Sequence, residues 1–374
     1  MRIQCTDIRL EELRKIEKCK MISPQMKLYI FGCAETAKMV TNFIHKNSSL
    51  VVEGYVIDDA YYHEEYFLGK TVYKYSEWEK NVQSEDWLIM GFTGSKRAAI
   101  IADKLKKRVH TVYFYFPYSA NVDGTYLDTV FYEKNRQSFE KIYALLKDEL
   151  SKNTMEAFLN GCITGNVEAL DKLQTEGQYF NELTKSCKAG SFVDCGAYVG
   201  DTIEGVVKFY GDTVSKIVAF EPDEDNLCKL NDRVEKLDSW NGKMQLVKKG
   251  VWSKEDTLHF SSSNSSSSIN EEGDIEIKVD SIDNVLKEEQ LPISYIKMDV
   301  EGSEKEALLG AADTIGKWQP LLAVCVYHKP EDLYDLTELI MQIAGDKSYD
   351  YYLRYHGPDL RELVLYAIPQ KGQE

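Results

Sequence analysis

The residues best suited to chemistry begin with Asp194, Gly196, Gly200 and Glu221. In Ser191-Phe-Val-Asp-Cys-Gly-Ala-Tyr-Val-Gly-Asp-Thr202 an apolar run ends in Asp194, and glycines follow at 196 and 200 before an amphipathic segment. That order predicts a buried strand, a tight turn and the start of a helix. In open α/β sheets the crevice at the carboxyl end of such a strand receives nucleotide-like ligands. Glu221 closes a second predicted strand, Lys216-Ile-Val-Ala-Phe-Glu221, about 20 residues beyond the last glycine. An acidic side chain at that offset commonly accepts from a ribose hydroxyl pair, and the glycines allow close backbone approach. A ribose-containing cofactor is expected.

Three more polar residues follow predicted strands. Asp299 ends Leu291-Pro-Ile-Ser-Tyr-Ile-Lys-Met-Asp299, Glu301 comes two residues later, and His328 ends the almost wholly apolar Pro320–Tyr327. In a parallel sheet all carboxyl ends open on one edge, which would gather Asp194, Glu221, Asp299, Glu301 and His328. Any one of them could equally cap a helix or sit in a solvated loop. Five at one edge are harder to explain that way.

The elements that would position them form the later part of a chain of 374 residues, too long for one ordinary domain. Its hydrophobic fraction of 43% is that of a globular protein with a sizeable core. The net charge of −16 argues against a broad nucleic-acid or anionic-membrane surface. Eight scattered cysteines contain no C-x-x-C pair, so neither a zinc ribbon nor a disulfide scaffold is expected. The N-terminus has acidic residues early and no apolar core of a secretory signal, and no run approaches the roughly 20 apolar residues that span a bilayer. A cytoplasmic protein without membrane insertion is expected.

Residues 1–118 read as an α/β domain. An amphipathic helix is predicted before Pro24, and strands at Lys27–Phe31, Val52–Asp58, Asp86–Gly91 and Thr111–Phe116 alternate with helices, which implies parallel βαβ units. This part resembles the Rossmann-like N-terminal domains of some sugar-modifying enzymes, with a glycine turn and a later Asp58-Asp59. Gly32 stands alone where a dinucleotide fingerprint has three glycines, so a scaffold or recognition role is favoured over a bound nucleotide. Residues 119–188 read as a helical connector with a turn at Asn121–Gly124. Tyr179-Phe180 at its end is read as packing, with a substrate-pocket wall as the alternative.

Residues 189–374 read as the second domain. Met244–Trp252 is a predicted third strand, Thr257–Phe260 and Ile275–Val279 form a strand pair around the serine tract 261–268, and Tyr349–Tyr355 with Glu362–Ile368 form an antiparallel hairpin at the sheet edge. The serine tract is linker-like by composition, or a loop that orders over a ligand.

Val-Asp-Cys-Gly-Ala-Tyr-Val-Gly-Asp, Ala-Phe-Glu-Pro, Val-Asp-Ser-Ile-Asp and Ile-Lys-Met-Asp-Val-Glu-Gly-Ser-Glu, in that order, resemble the FkbM family of S-adenosylmethionine-dependent methyltransferases. The resemblance covers about residues 179–369. It implies an α/β, doubly wound class I methyltransferase sheet of seven mostly parallel strands, the last antiparallel. It implies S-adenosylmethionine as cofactor. Asp194, Gly196 and Gly200 would line its methionine end, with Ala197, Tyr198, Asp201 and Thr202 in the same turn. Glu221 would bind the ribose, beside Pro222, Gly250 and Val251, and Asp299 would lie near the transferred methyl group with Glu301 nearby. Family members generally methylate hydroxyls on sugars or natural products, so the expected partner is a small-molecule or glycan acceptor. A homodimer is compatible with this reading. Tyr198 departs from the more usual Asn or Asp, which puts a polar contact from that position in doubt.

For proton removal His328 is preferred, with Asp299 orienting the acceptor. Asp299 and Glu301 with waters would suit magnesium, but a general base alone suffices for a hydroxyl, so no metal is expected. Rival readings are a nucleotide-sugar or NAD-dependent enzyme using the first domain, and a non-catalytic module that binds cofactor or forms oligomers.

Overall fold

The structure, a computed structural model, describes residues 1–91, 96–106, 108–120, 126–185, 190–236, 243–260, 275–289, 292–345 and 349–370. The serine tract 261–268 and the turn at Asn121–Gly124 lie outside them. The chain divides into two compact units. One comprises Met1–Arg136, Met155–Leu173 and Gly357–Arg361; the other comprises Gln137–Thr154, Gln174–His356 and Glu362–Glu374.

The first unit is built on strands β1 (Leu28–Phe31), β2 (Val52–Ile57), β3 (Tyr66–Phe67), β4 (Lys70–Lys74), β5 (Trp87–Met90) and β6 (His110–Tyr113). They form a six-stranded sheet in the order β3-β4-β2-β1-β5-β6. All pairs are parallel except the β3–β4 hairpin. Helices α1 (Ile8–Ile22), α2 (Glu35–Asn47), α3 (Tyr75–Asn81) and α4 (Lys96–Leu105) accompany it. Side chains on a strand alternate between faces, and β1 shows this directly. Leu28 and Ile30 join a core with Leu13, Ile16, Val40 and Ile44 from α1 and α2. Tyr29 and Phe31 join another with Trp78, Ile101 and Leu105 from α3 and α4. Both faces are therefore covered, which is why β1 is apolar at every position. The β3–β4 hairpin and α3 carried no recognised sequence signal. They are short, and only Val72 and Trp78 of them are fully buried.

Helices α5 (Thr129–Lys134), α6 (Arg136–Leu145), α7 (Glu149–Thr164) and α8 (Glu168–Asp171) fill the predicted helical stretch. The second unit then adds β7 (Ser191–Cys195), α9 (Asp201–Tyr210), β8 (Lys216–Phe220), α10 (Glu224–Val234), β9 (Met244–Val247), β10 (Gly250–Val251), β11 (Asp256–Phe260), β12 (Ile275–Asp280) and α11 (Ile282–Leu286). It ends with β13 (Ile293–Met298), α12 (Glu304–Leu309), α13 (Ala312–Trp318), β14 (Leu321–Cys325), α14 (Asp332–Ala344), β15 (Tyr349–Tyr355) and β16 (Leu363–Pro369). Seven strands make one sheet in the order β15-β16-β14-β13-β7-β8-β9. Only β16 runs against its neighbours, antiparallel to both β14 and β15.

The final antiparallel hairpin forms one edge of the sheet as expected, with β15 outermost and β16 beside β14. Leu363–Ala367 is fully buried, and so apolar a segment is better placed inside the sheet. The predicted strand Met244–Trp252 divides at Lys248-Lys249. β9 stays in the large sheet, while β10 pairs with β12 in a separate three-stranded sheet. Lys249 turns out to meet Glu255 and Asp280, each at 2.7 Å, which suits a break in the strand at that point. Among the described residues no helix is long and apolar enough to cross a membrane.

Candidate functional site

β14, β13, β7 and β8 are parallel neighbours, with Val324 opposite Met298, Met298 opposite Cys195, and Cys195 opposite Phe220. Their carboxyl ends therefore share one edge, and Asp194, Glu221, Asp299, Glu301 and His328 all lie there. The turn after β7 is the centre. Gly196 has φ +83, and a Cβ built on it would fall 2.0 Å from the Asp299 carbonyl oxygen. No other residue fits where the chain leaving β13 passes so close. Ala197 is buried beside it, Tyr198 has φ +47 and is exposed, and Gly200 is the N-cap of α9. Asp201 and Thr202 open that helix, Asp201 exposed and Thr202 buried.

Glu221 reaches back onto this turn. It is buried, and its carboxylate accepts from the Tyr198 N–H at 2.8 Å and the Asp223 N–H at 3.0 Å. A carboxylate has about four lone-pair sites, so acceptor capacity remains for a ligand hydroxyl. Burial pushes its pKa above the usual carboxylate range, and the backbone donors oppose that only partly. Pro222 is half-buried next to it, and a Cβ on Gly250 would come within 3.9 Å of the Pro222 ring. Val251 beside it is buried.

Asp194 sits directly before the glycine turn. It is fully buried and faces Lys297 of β13, whose Nζ lies 3.1 Å from its Oδ1. Lys297 also donates to the carbonyls of Gly196 at 2.7 Å and Cys195 at 3.3 Å. The pair braces the glycine turn from beneath. Burial opposes the charge on Lys297 most strongly, yet Asp194 and Asp299 together outweigh it and raise its pKa. Burial also raises Asp194, with Lys297 pulling the other way. Three oxygens receive the ammonium, which keeps Lys297 charged. Its signal was present in the sequence: a lone lysine inside an apolar strand needs a buried counter-ion.

Beyond β13 the chain reverses through Glu301 at φ +53 and Gly302 at φ +93 into α12. Glu304, fully buried, accepts from the Val300 N–H at 2.9 Å and meets His328 Nδ1 at 2.9 Å. His328 Nε2 stands 3.6 Å from Asp299 Oδ1 and 3.6 Å from Glu301 Oε2. Burial works against a charged imidazole and is the largest influence. The hydrogen bond and charge of Glu304, with Asp299 and Glu301, overcome it and lift the His328 pKa to about 9. At neutral pH His328 therefore holds a proton. Burial and the charge of Glu304 push Asp332 of α14 up to about 8. Asp299, Glu304 and His328 offer ligand atoms within 4.8 Å of one another, a spacing that a divalent cation could also bridge. Glu304 was not recognised as a site residue, because a glutamate opening a helix reads as ordinary helix chemistry.

Asp299 completes the site. Its Oδ2 accepts from the Tyr179 hydroxyl at 3.0 Å, while its Oδ1 is buried and has no hydrogen-bond partner among the described residues.

Residues 194–352 match the methyltransferase FkbM domain. No curated protein matches the chain. Among solved structures, the methyltransferase FkbM of Methylobacillus flagellatus KT is 19% identical over 96% of this chain and 98% of its own, with a TM-score of 0.67. A rRNA methylase of Streptococcus thermophilus is 14% identical over 50% of this chain and 93% of its own, at a TM-score of 0.31. Aeropyrum pernix fibrillarin, solved with S-adenosyl-L-methionine, is 10% identical over 51% of this chain and 71% of its own, at 0.33. The first of these shares the fold across both units' sequence. Over residues 194–352, this chain is therefore similar to the methyltransferase FkbM domain.

Proposed function

We propose that the protein is an S-adenosylmethionine-dependent methyltransferase acting on a hydroxyl of a sugar, glycan precursor or natural product. One observation carries the cofactor reading. The glycine turn is flanked on one side by a buried carboxylate with acceptor capacity, Glu221, and on the other by Asp299, whose Oδ1 has no hydrogen-bond partner among the described residues. The residues fit the group. Gly196 leaves room that a Cβ would fill, Glu221 can accept from ribose hydroxyls, and Asp299 with Glu301 supplies negative potential for a sulfonium. S-adenosylmethionine, when bound, supplies an electrophilic methyl group.

The chain's own residues then have two tasks. The acceptor oxygen must be held about 3 Å from the methyl carbon and in line, so positioning supplies much of the rate. Asp299 Oδ1 can take the acceptor's hydrogen bond and set that line. The hydroxyl must also lose its proton, which we assign to His328. With a pKa of about 9, roughly one His328 in a hundred is free to accept at pH 7. Turnover should therefore rise as pH approaches 9. Equilibrium binding of S-adenosylhomocysteine and of NAD tests the reading. The former should bind and the latter should not; failure to bind S-adenosylhomocysteine would overturn it. Full turnover by His328→Ala with cofactor binding intact would remove His328 from the proton step.

A further inference from the structure

We propose that Tyr179 is the positioning residue of this site: its phenol fixes the Asp299 carboxylate so that the carboxylate's charge faces the cofactor's sulfonium while Oδ1 can still orient the acceptor. This rests on the S-adenosylmethionine reading above. The hydrogen bonding determines where the phenol proton goes. Gln178 Nε2 meets the Tyr179 oxygen at 3.0 Å and also reaches Glu362 Oε2, so its amide acts as a donor to both. The phenol oxygen thus receives from Gln178 and has its own hydrogen left to give. Asp299 Oδ2, at 3.0 Å, is the charged acceptor within reach; Cys325 Sγ at 3.3 Å is a weaker one. Burial, with Cys325 and Asp299, holds the phenol well above its ordinary pKa, so it remains a donor.

The backbone of Tyr179 is held as firmly as its side chain. Its φ is +66, a left-handed conformation that a bulky residue keeps only when its surroundings impose it. Two tyrosine hydroxyls impose it here. Tyr366 of β16 accepts from the Tyr179 N–H at 3.2 Å, and Tyr295 of β13 donates to its carbonyl at 2.6 Å. Lys297 Nζ lies 5.4 Å from the centre of its ring. Strands β16 and β13 thereby hold the backbone that carries this phenol. With Oδ2 accepting from the phenol, Oδ1 lies 3.6 Å from His328 Nε2, beyond a hydrogen bond. Plain packing would need the ring and not the hydroxyl.

The test is a double-mutant cycle read by calorimetric binding of S-adenosylmethionine and S-adenosylhomocysteine, which differ in the sulfonium charge. Tyr179→Phe should lower the preference for S-adenosylmethionine about ten-fold, with the melting temperature nearly unchanged. Asp299→Asn should lower it at least as much, and adding Tyr179→Phe to Asp299→Asn should change nothing further, since the phenol acts through that carboxylate. Equal weakening of both ligands by Tyr179→Phe, additivity with Asp299→Asn, no effect, or failure of Tyr179→Phe to fold would each overturn the positioning role. Failure of the unaltered protein to bind either ligand would instead overturn the S-adenosylmethionine reading.

Discussion

Both units contain a buried strand followed by a glycine turn and a helix, and in both the next strand is followed by a carboxylate. Their outcomes diverge. In the second unit Glu221 reaches back to the glycine turn, accepting from Tyr198, and Gly196 is pressed against the chain leaving β13. In the first unit Asp58 caps its own 3-10 turn through Ala60, Asp59 holds Ser76, and a Cβ on Gly32 would meet nothing nearer than Ala37 Cβ at 4.0 Å. The buried cations differ in the same way. Lys297 sits under the turn, whereas Arg9 bonds Asp7 and the carbonyls of Tyr115, Cys162 and Ile163, over the Phe116 ring. A strand-glycine-helix order is thus shared by two units whose glycines and acids have different surroundings. What separates them is whether the acid at the second strand turns back to the glycine or caps its own loop.

Substitutions at the two glycines should break or confirm that contrast most sharply. Gly196→Ala must accommodate both φ +83 and a Cβ 2.0 Å from a carbonyl oxygen, and should cost about 4 kcal/mol or more and abolish S-adenosylhomocysteine binding. Gly32→Ala meets only the strain of φ +108, about 1–2 kcal/mol, and should leave binding unchanged. Urea denaturation and calorimetry read both, and equal losses would erase the distinction. Next in size is Arg9→Met. It leaves Asp7 and three carbonyls without their cation and should cost about 3–5 kcal/mol of stability while the ligand affinity of the folded protein stays the same.

The pH dependence of stability should be carried by the second unit. His328 has its native pKa raised from 6.5 to about 9, so its contribution is complete below pH 6.5 and is lost as pH rises through 9; the full effect is on the order of 3 kcal/mol. Asp332, raised from 3.8 to about 8, loses stability in the same direction but from lower pH. His328→Gln should flatten the decline in unfolding free energy between pH 7 and 9.5. The smallest effect compares the two strand-end acids. Glu221→Gln should weaken S-adenosylhomocysteine binding roughly ten- to hundred-fold, the worth of hydrogen bonds to a charged group. Asp58→Asn should leave it unchanged, since asparagine still caps a turn.

Much of this was legible in the chain itself. The glycine turn, the acid at 221, the Asp-x-Glu after β13 and the histidine after β14 each mark a strand end, because apolar runs must be buried and polar residues must leave them. The seven-strand sheet and its antiparallel member followed from the resemblance those motifs carry. Less was legible where a residue's role depends on a distant partner. The pairing of Asp194 with Lys297 at 3.1 Å and the three carboxylates around His328 could not be read from the order of residues. Tyr179 looked like packing, since nothing near it in sequence announces Asp299, 120 positions on. Local pattern determined the elements and the edge on which the polar residues gather, because burial and backbone hydrogen bonding act over short spans. Only the tertiary structure decided which of those residues are charged, braced or open, because Coulomb interactions and desolvation depend on distances between strands that the order of residues does not contain.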